Sequence, residues 1–144
     1  MKALSISPYY AMGIVLGVKS IECRTWKTDY RGDLLICATN KKMHGTIAGH
    51  ALGVVTLEDV VPFTKKHLKD ALLEPSEYKP GMYAWKLTYN RLIVPQPVKG
   101  KLSLWEYDGP LEYIPESEWI LPEGAEDTDE PAEWFLKHWK PIMT

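Results

Sequence analysis

The shortness of its apolar runs is what most limits the folds open to this chain. Between Leu4 and Tyr107 every run is soon broken by glycine, proline or a charged turn, and most repeat with a period of two, as half-buried strands do. Leu4 and Ile6 alternate with Ser5 and Ser7. Residues 20–26 set Ile21, Cys23 and Thr25 against Ser20, Glu22, Arg24 and Trp26, which predicts a strand with one polar face. After a turn at Tyr30-Arg31-Gly32-Asp33, the continuous apolar stretch Leu34–Ala38 suits a buried strand. Residues 51–61 contain the β-rich stretch Leu52–Leu57, in which Gly53 marks a bulge or a barrel corner. Beyond the Lys79-Pro80-Gly81 turn, residues 82–94 and 98–107 predict two more strands.

Helical signals are few. Ser7-Pro8 is a helix start, with the serine hydroxyl as cap and proline where no amide hydrogen is needed. Ala11, Ile14, Val15 and Val18 share one side, and Gly17 supplies a left-handed stop, so one short helix over about 8–17 is expected. The spacing of Leu68, Ala71 and Leu72 predicts a second within residues 63–73. Five or more strands with two short helices make an α+β fold, a small closed β-barrel of five to six strands.

With 45% apolar and 25% charged residues, the composition is that of an ordinary globular domain. Its charge is unevenly placed. Residues 1–101 carry 15 Lys/Arg and 8 Asp/Glu, whereas 102–144 carry 2 and 11, so a basic body that suits a polyanion precedes an acidic end. We expect a domain over 1–108 and an acidic, Trp-containing C-terminal extension over 109–144, packed on that domain or tailing it. Within the extension, residues 122–131 read as an acidic linker, and 133–140 as a final helical turn docking through Trp134, Phe135 and Trp139. Cys23 and Cys37 lie in apolar runs and read as buried thiols. The first seven residues are too short an apolar stretch for a secretory signal, and no run nears the roughly 18 apolar residues of a membrane span. A cytoplasmic protein with no membrane partner is the expectation. There is no CxxC pair, no HExxH and no glycine-rich phosphate or dinucleotide pattern, so neither a metal nor a cofactor is expected.

The chemistry concentrates in Gly17-Val18-Lys19-Ser20-Ile21-Glu22-Cys23-Arg24. An ammonium, a carboxylate and a guanidinium on one short strand are costly to bury unless paired, so they either bridge one another or line a solvent-filled cleft. The pattern Gly-x-Lys-x-x-Glu-x-Arg, here Gly17, Lys19, Glu22 and Arg24, resembles the signature of ASCH domains. Leu4-Ser5-Ile6 running into Pro8 and Ala11 is similar as well, as are residues 30–36, Ala51–Val55 and Gly81-Met82-Tyr83-Ala84-Trp85. The resemblance spans about 3–107. It implies a PUA-like β-barrel with a cleft floored by the signature residues, and nucleic-acid-related work, foremost on RNA.

Basic and aromatic residues around this segment are compatible with that. Lys19, Arg24, Lys27, Arg31, Lys41 and Lys42 are interleaved with Tyr9, Tyr10, Trp26 and Tyr30. Cations neutralise phosphates and aromatic faces stack unpaired bases, so the expected partner is RNA, another single-stranded nucleic acid or a modified nucleoside. We take Tyr9, Tyr10, Lys19, Arg24, Trp26, Lys27, Arg31, Lys41 and Lys42 as candidate nucleic-acid-binding residues. Against that focus, seven of the sixteen aromatic residues follow residue 101.

The resemblance also implies enzymes. Relatives that deacetylate N4-acetylcytidine join the signature lysine to a threonine three residues on and a later carboxylate. Lys19 matches the lysine, Glu22 stands where the threonine would be, and Asp70 and Glu74 are candidates for the carboxylate. That departure argues against the same chemistry by the same residues. Lys19 and Glu22 are still candidate catalytic residues for an RNA-directed hydrolase, a metal-independent ribonuclease foremost and an amidohydrolase-like enzyme as the other variant. In the first variant Glu22 accepts a proton while Lys19 or Arg24 steadies the anion. His44 and His50 are alternative acid and base. A third expectation is an adaptor whose acidic extension recruits a protein partner.

Overall fold

The structure, a computed structural model, describes residues 1–121, 123–125 and 130–144; part of the expected acidic linker, Pro122 and residues 126–129, lies outside them. Six strands form one sheet: β1 (Lys2–Ile6), β2 (Ile21–Arg24), β3 (Gly32–Ala38), β4 (His50–Pro62), β5 (Tyr83–Pro97) and β6 (Trp105–Glu106), in the order β2-β5-β4-β3-β1-β6. β1 runs parallel to β3 and every other pairing is antiparallel. The strand count and the α+β class follow the expectation, but the hydrogen bonding does not run all the way round. β2 and β6 are the two ends, so the sheet is open rather than closed.

Helix α1 (Pro8–Val15) follows β1 directly. Ser7 does not cap it with its side chain; its hydroxyl turns to the Met43 sulfur, and only its carbonyl accepts the Ala11 amide. Gly17 takes the left-handed conformation expected of it, at φ 81°. β3 is buried on both faces. Leu34, Ile36 and Ala38 join Leu4, Ile14, Leu52 and Trp85 in the main core, while Leu35 and Cys37 join Ala3, Val54, Ile93 and Trp105 on the other side. Gly53 sits at a register shift of β4, where an added Cβ would lie 2.6 Å from the Arg91 carbonyl oxygen and 2.7 Å from Val15 Cγ1. Only a residue without a side chain lets α1 lie this close to the sheet.

Two expectations fail locally. Residues 63–73 hold a single 3-10 turn, Lys65–His67, not a helix. Leu68 and Ala71 do face inward, packing with Ile21, Phe63 and Ala84, but the Asp70 carbonyl accepts the Ser20 and Ile21 amides and Leu72 has φ 57°. The backbone groups a helix needs are spent on tying the start of β2. The two strands expected over 82–94 and 98–107 are instead one 15-residue strand, β5, and the two-residue β6, with residues 98–104 forming a loop. β5 is continuous because it pairs along β4, from His50 opposite Pro97 to Pro62 opposite Tyr83, through three register shifts.

The chain's end is tied to this body. Trp139, in a π-helical turn over Phe135–Trp139, is 1% exposed in the main core, and Thr144 exchanges backbone hydrogen bonds with Gly45 and Thr46. Both cysteines are free, and no helix among the described residues is long and apolar enough to cross a membrane.

Candidate nucleic-acid interface

The end of α1 sets the first functional side chain. The amides of Val18 and Lys19 both reach the Gly13 carbonyl. This tight exit, made available by Gly17, turns Lys19 inward until it is 2% exposed. Its Nζ donates to the Ala71 carbonyl, stands 3.6 Å from Glu22 Oε1 and lies 4.6 Å from the centre of the Tyr10 ring. Burial draws the Lys19 ammonium below the usual lysine range, and the Glu22 carboxylate partly restores it.

β2 supplies the next two. Its pleat puts Ile21 against Phe63 and Ala84 and presents Glu22 and Arg24 on the opposite face. Glu22 is occupied on both oxygens. Oε1 faces Lys19 and accepts the Cys23 amide at 3.3 Å, while Oε2 accepts Arg24 Nε at 3.1 Å and pairs with Nη2 at 3.0 Å. Nη2 also donates to the Ser5 carbonyl at 3.0 Å, so the guanidinium spans from β2 to β1 where no strand pairing closes the sheet. The sequence left open whether these charges pair or line a cleft. They do both.

A cleft of about 630 Å³ opens above them. Ser7 and Tyr10 form one wall, Lys19, Glu22, Arg24 and Trp26 the floor, and Ser76, Glu77, Lys79 and Met82 the far side. Trp26 meets buried Trp85 edge-on, with ring centres 4.7 Å apart, and its carbonyl accepts the Trp85 indole N–H at 3.2 Å. The cleft holds Lys19, Arg24 and Lys79 against Glu22 and Glu77, so it is only mildly positive. Burial, with Glu22 nearby, pushes the Cys23 thiol up, so it stays protonated and is a poor nucleophile.

Of the candidate residues, Tyr10, Lys19, Glu22, Arg24 and Trp26 come together in this cleft, whereas Tyr9, Lys27, Arg31, Lys41 and Lys42 do not line it. Tyr9 is exposed beside Tyr10, and Arg31 donates to the Thr28 and Tyr30 carbonyls and meets Asp59 at 3.5 Å. Lys27, Lys41 and Lys42 are exposed. Asp70 and Glu74 do not line the cleft; Asp70 serves it only through its backbone. Sequence reasoning did not single out Ser76, Glu77, Lys79 or Met82 as site residues, because the chain there reaches the cleft only through the turns that follow Leu72.

Comparison with known proteins agrees with the fold. The ASCH domain family profile matches residues 4–99. Among solved structures, the ASCH protein from Zymomonas mobilis superposes with a TM-score of 0.60 at 20% identity, covering 74% of this chain and 87% of that one. Two mutants of the same protein superpose with TM-scores of 0.60 and 0.61, at 20% and 18% identity, over 74% of this chain and 89% and 87% of theirs. No curated protein matches the chain.

Proposed function

The chain belongs to the ASCH domain family, and from that premise we propose that it binds RNA, as a single strand or as a modified nucleotide, in the cleft above Lys19, Glu22 and Arg24. One observation carries this reading: a buried Lys19–Glu22–Arg24 chain holds a part-exposed guanidinium in place beside the rings of Tyr10 and Trp26. An anchored cation next to aromatic walls suits an unpaired base with its phosphate; a duplex offers no base face to stack. Glu22 acts here as the positioning residue for Arg24. Hydrolysis is the weaker reading, because both Glu22 oxygens already engage Lys19, Arg24 and the Cys23 amide, and taking a proton would have to compete with those contacts.

The test is fluorescence anisotropy with a short labelled single-stranded RNA. Tyr10→Ala removes a stacking surface worth about 1–3 kcal/mol, which is roughly 5- to 150-fold in affinity. Arg24→Ala abolishes binding at physiological salt. Unchanged affinity in both variants, each shown folded by circular dichroism, overturns the reading. Incubating labelled RNA with the protein in EDTA separates binder from nuclease: intact RNA with retained binding is expected, and cleavage lost on Lys19→Ala would establish an enzyme instead.

A further inference from the structure

Arg24 belongs to a second cleft as well. On its other side lies a space of about 780 Å³ bounded by Ser5, Thr39, Asn40 and the loop that joins β5 to β6. This loop brings Lys99 and Lys101, both exposed, so that three cations, counting Arg24, face the space; among the described residues no carboxylate lines it. The first cleft has the aromatic rings and a nearly balanced charge, and the second has the stronger positive charge and no aromatic ring. Arg24 is their common wall.

The loop is held in place. A Cβ on Gly100 would stand 2.6 Å from Ser5 Oγ, so its backbone lies directly on β1. Ser5 Oγ accepts the Trp105 indole N–H at 3.2 Å, and the Ser5 carbonyl accepts Arg24. One serine thus fixes β6, the lysine-bearing loop and the guanidinium relative to one another. Beyond Lys101, Leu102 is 94% exposed and is followed by Ser103 at φ 58°, which leaves an apolar side chain at the rim.

We propose that the site takes an oligonucleotide rather than a lone nucleoside: the base stacks in the Tyr10–Trp26 cleft, and the adjoining phosphates pass over Arg24 to Lys99 and Lys101. This rests on the RNA-binding reading above and goes beyond it by dividing the ligand between the clefts. The seam left by the open sheet is what lets a strand cross, because among the described residues the Arg24 side chain, not strand pairing, bridges β2 and β1 there. Leu102 meets the next base as an apolar platform.

The experiment measures a labelled single-stranded RNA octamer binding the full chain between 50 and 500 mM salt. Each phosphate contact on a single strand adds about 0.7 to the slope of log affinity against log salt, so Lys99→Ala with Lys101→Ala lowers the slope by about 1.4. The gap to the wild type therefore narrows roughly 25-fold across that range. Lys65→Ala with Lys66→Ala, the same charge change on another surface, leaves the slope within about 0.3 of the wild type, less than half of one contact. Tyr10→Ala weakens binding with the slope intact. If the wild type binds and Tyr10→Ala weakens it, but the Lys99/Lys101 pair leaves the slope unchanged, the division between clefts is wrong and the RNA-binding reading stands. If the wild type does not bind the octamer at 50 mM salt, both are overturned.

Discussion

Replacing Glu22 by glutamine removes one charge from the centre of the Lys19–Glu22–Arg24 chain while keeping its volume. Lys19 and Glu22 are 2% and 6% exposed, so the ammonium would then be left buried without a counter-charge, beside the Ala71 carbonyl, the Tyr10 ring and a neutral amide. Breaking a buried pair by deleting one member costs about 3–5 kcal/mol. The lower end applies, because the Arg24 side chain is 24% exposed and can turn to water. A loss of about 3 kcal/mol corresponds to a fall in Tm of roughly 6–12 °C for a chain of this size. The loss also depends on pH. Lys19 already titrates below the usual lysine range because of burial, and Glu22 is what holds it up. In Glu22→Gln its folded-state value drops further, while in the unfolded chain it stays near about 10.4. Each protein gains stability with pH between its folded value and the unfolded one, where the unfolded state binds more protons; the variant therefore gains on the wild type between its own folded value and the wild type's, by up to about 1.4 kcal/mol per pH unit. Urea unfolding of both proteins at pH 7 and pH 9.5 should show a penalty that shrinks at the higher pH. Equal stability at pH 7, or an equal penalty at both, would refute the buried ion pair as the organiser of the site.

Other perturbations test separate parts of the structure. Gly53→Ala forces a methyl group against the Arg91 backbone and Val15, and should cost about 3 kcal/mol in thermal unfolding; a change below 0.5 kcal/mol would mean that α1 does not lie this close. The Trp139 indole N–H is buried and has no hydrogen-bond partner among the described residues. Trp139→Ala should therefore cost about 3–5 kcal/mol and Trp139→Phe far less, whereas equal losses would reveal a bond to that nitrogen. Burial raises the Cys37 thiol to about 12 and that of half-buried Cys23 also upward, so at pH 8 the native protein should be alkylated at Cys23 first and at Cys37 only after unfolding, as read by mass spectrometry of digests. Arg24→Lys keeps the charge but loses the planar fork whose Nε and Nη2 reach Glu22 and the Ser5 carbonyl at once, so RNA affinity should fall at least fivefold with the salt slope retained; unchanged affinity would reduce Arg24 to a point charge.

Much of the scaffold was legible because it is written in local pattern. The alternation in residues 20–26 placed Glu22 and Arg24 on one face, the Pro8 start and Gly17 stop bounded α1 closely, and the apolar run of β3 announced burial on both sides. Where partners distant in sequence compete for the same groups, local pattern misled. The spacing of Leu68, Ala71 and Leu72 is helical, but the Asp70 and Ala71 carbonyls are claimed by Ser20, Ile21 and Lys19, and a backbone acceptor committed to a strand and an ammonium is lost to a helix. Residues 98–107 looked like a strand, yet only Trp105 and Glu106 find an edge to pair with, namely β1.

The sequence by itself determined the strand-rich class, the short helix and the charged face of β2, since these depend on side-chain period and on the backbone limits of proline and glycine. Tertiary structure alone decided which charges meet. Lys99 and Lys101 stand 75 and 77 residues from Arg24 in the chain and share a cleft with it because β1 carries the carbonyl that Arg24 binds and the serine on which Gly100 rests. Lys41 and Lys42, much nearer in sequence, line neither cleft. Strand pairing fixes neighbours by register and sheet order, and the open seam between β2 and β1, which follows from that order, is where the site was left to form.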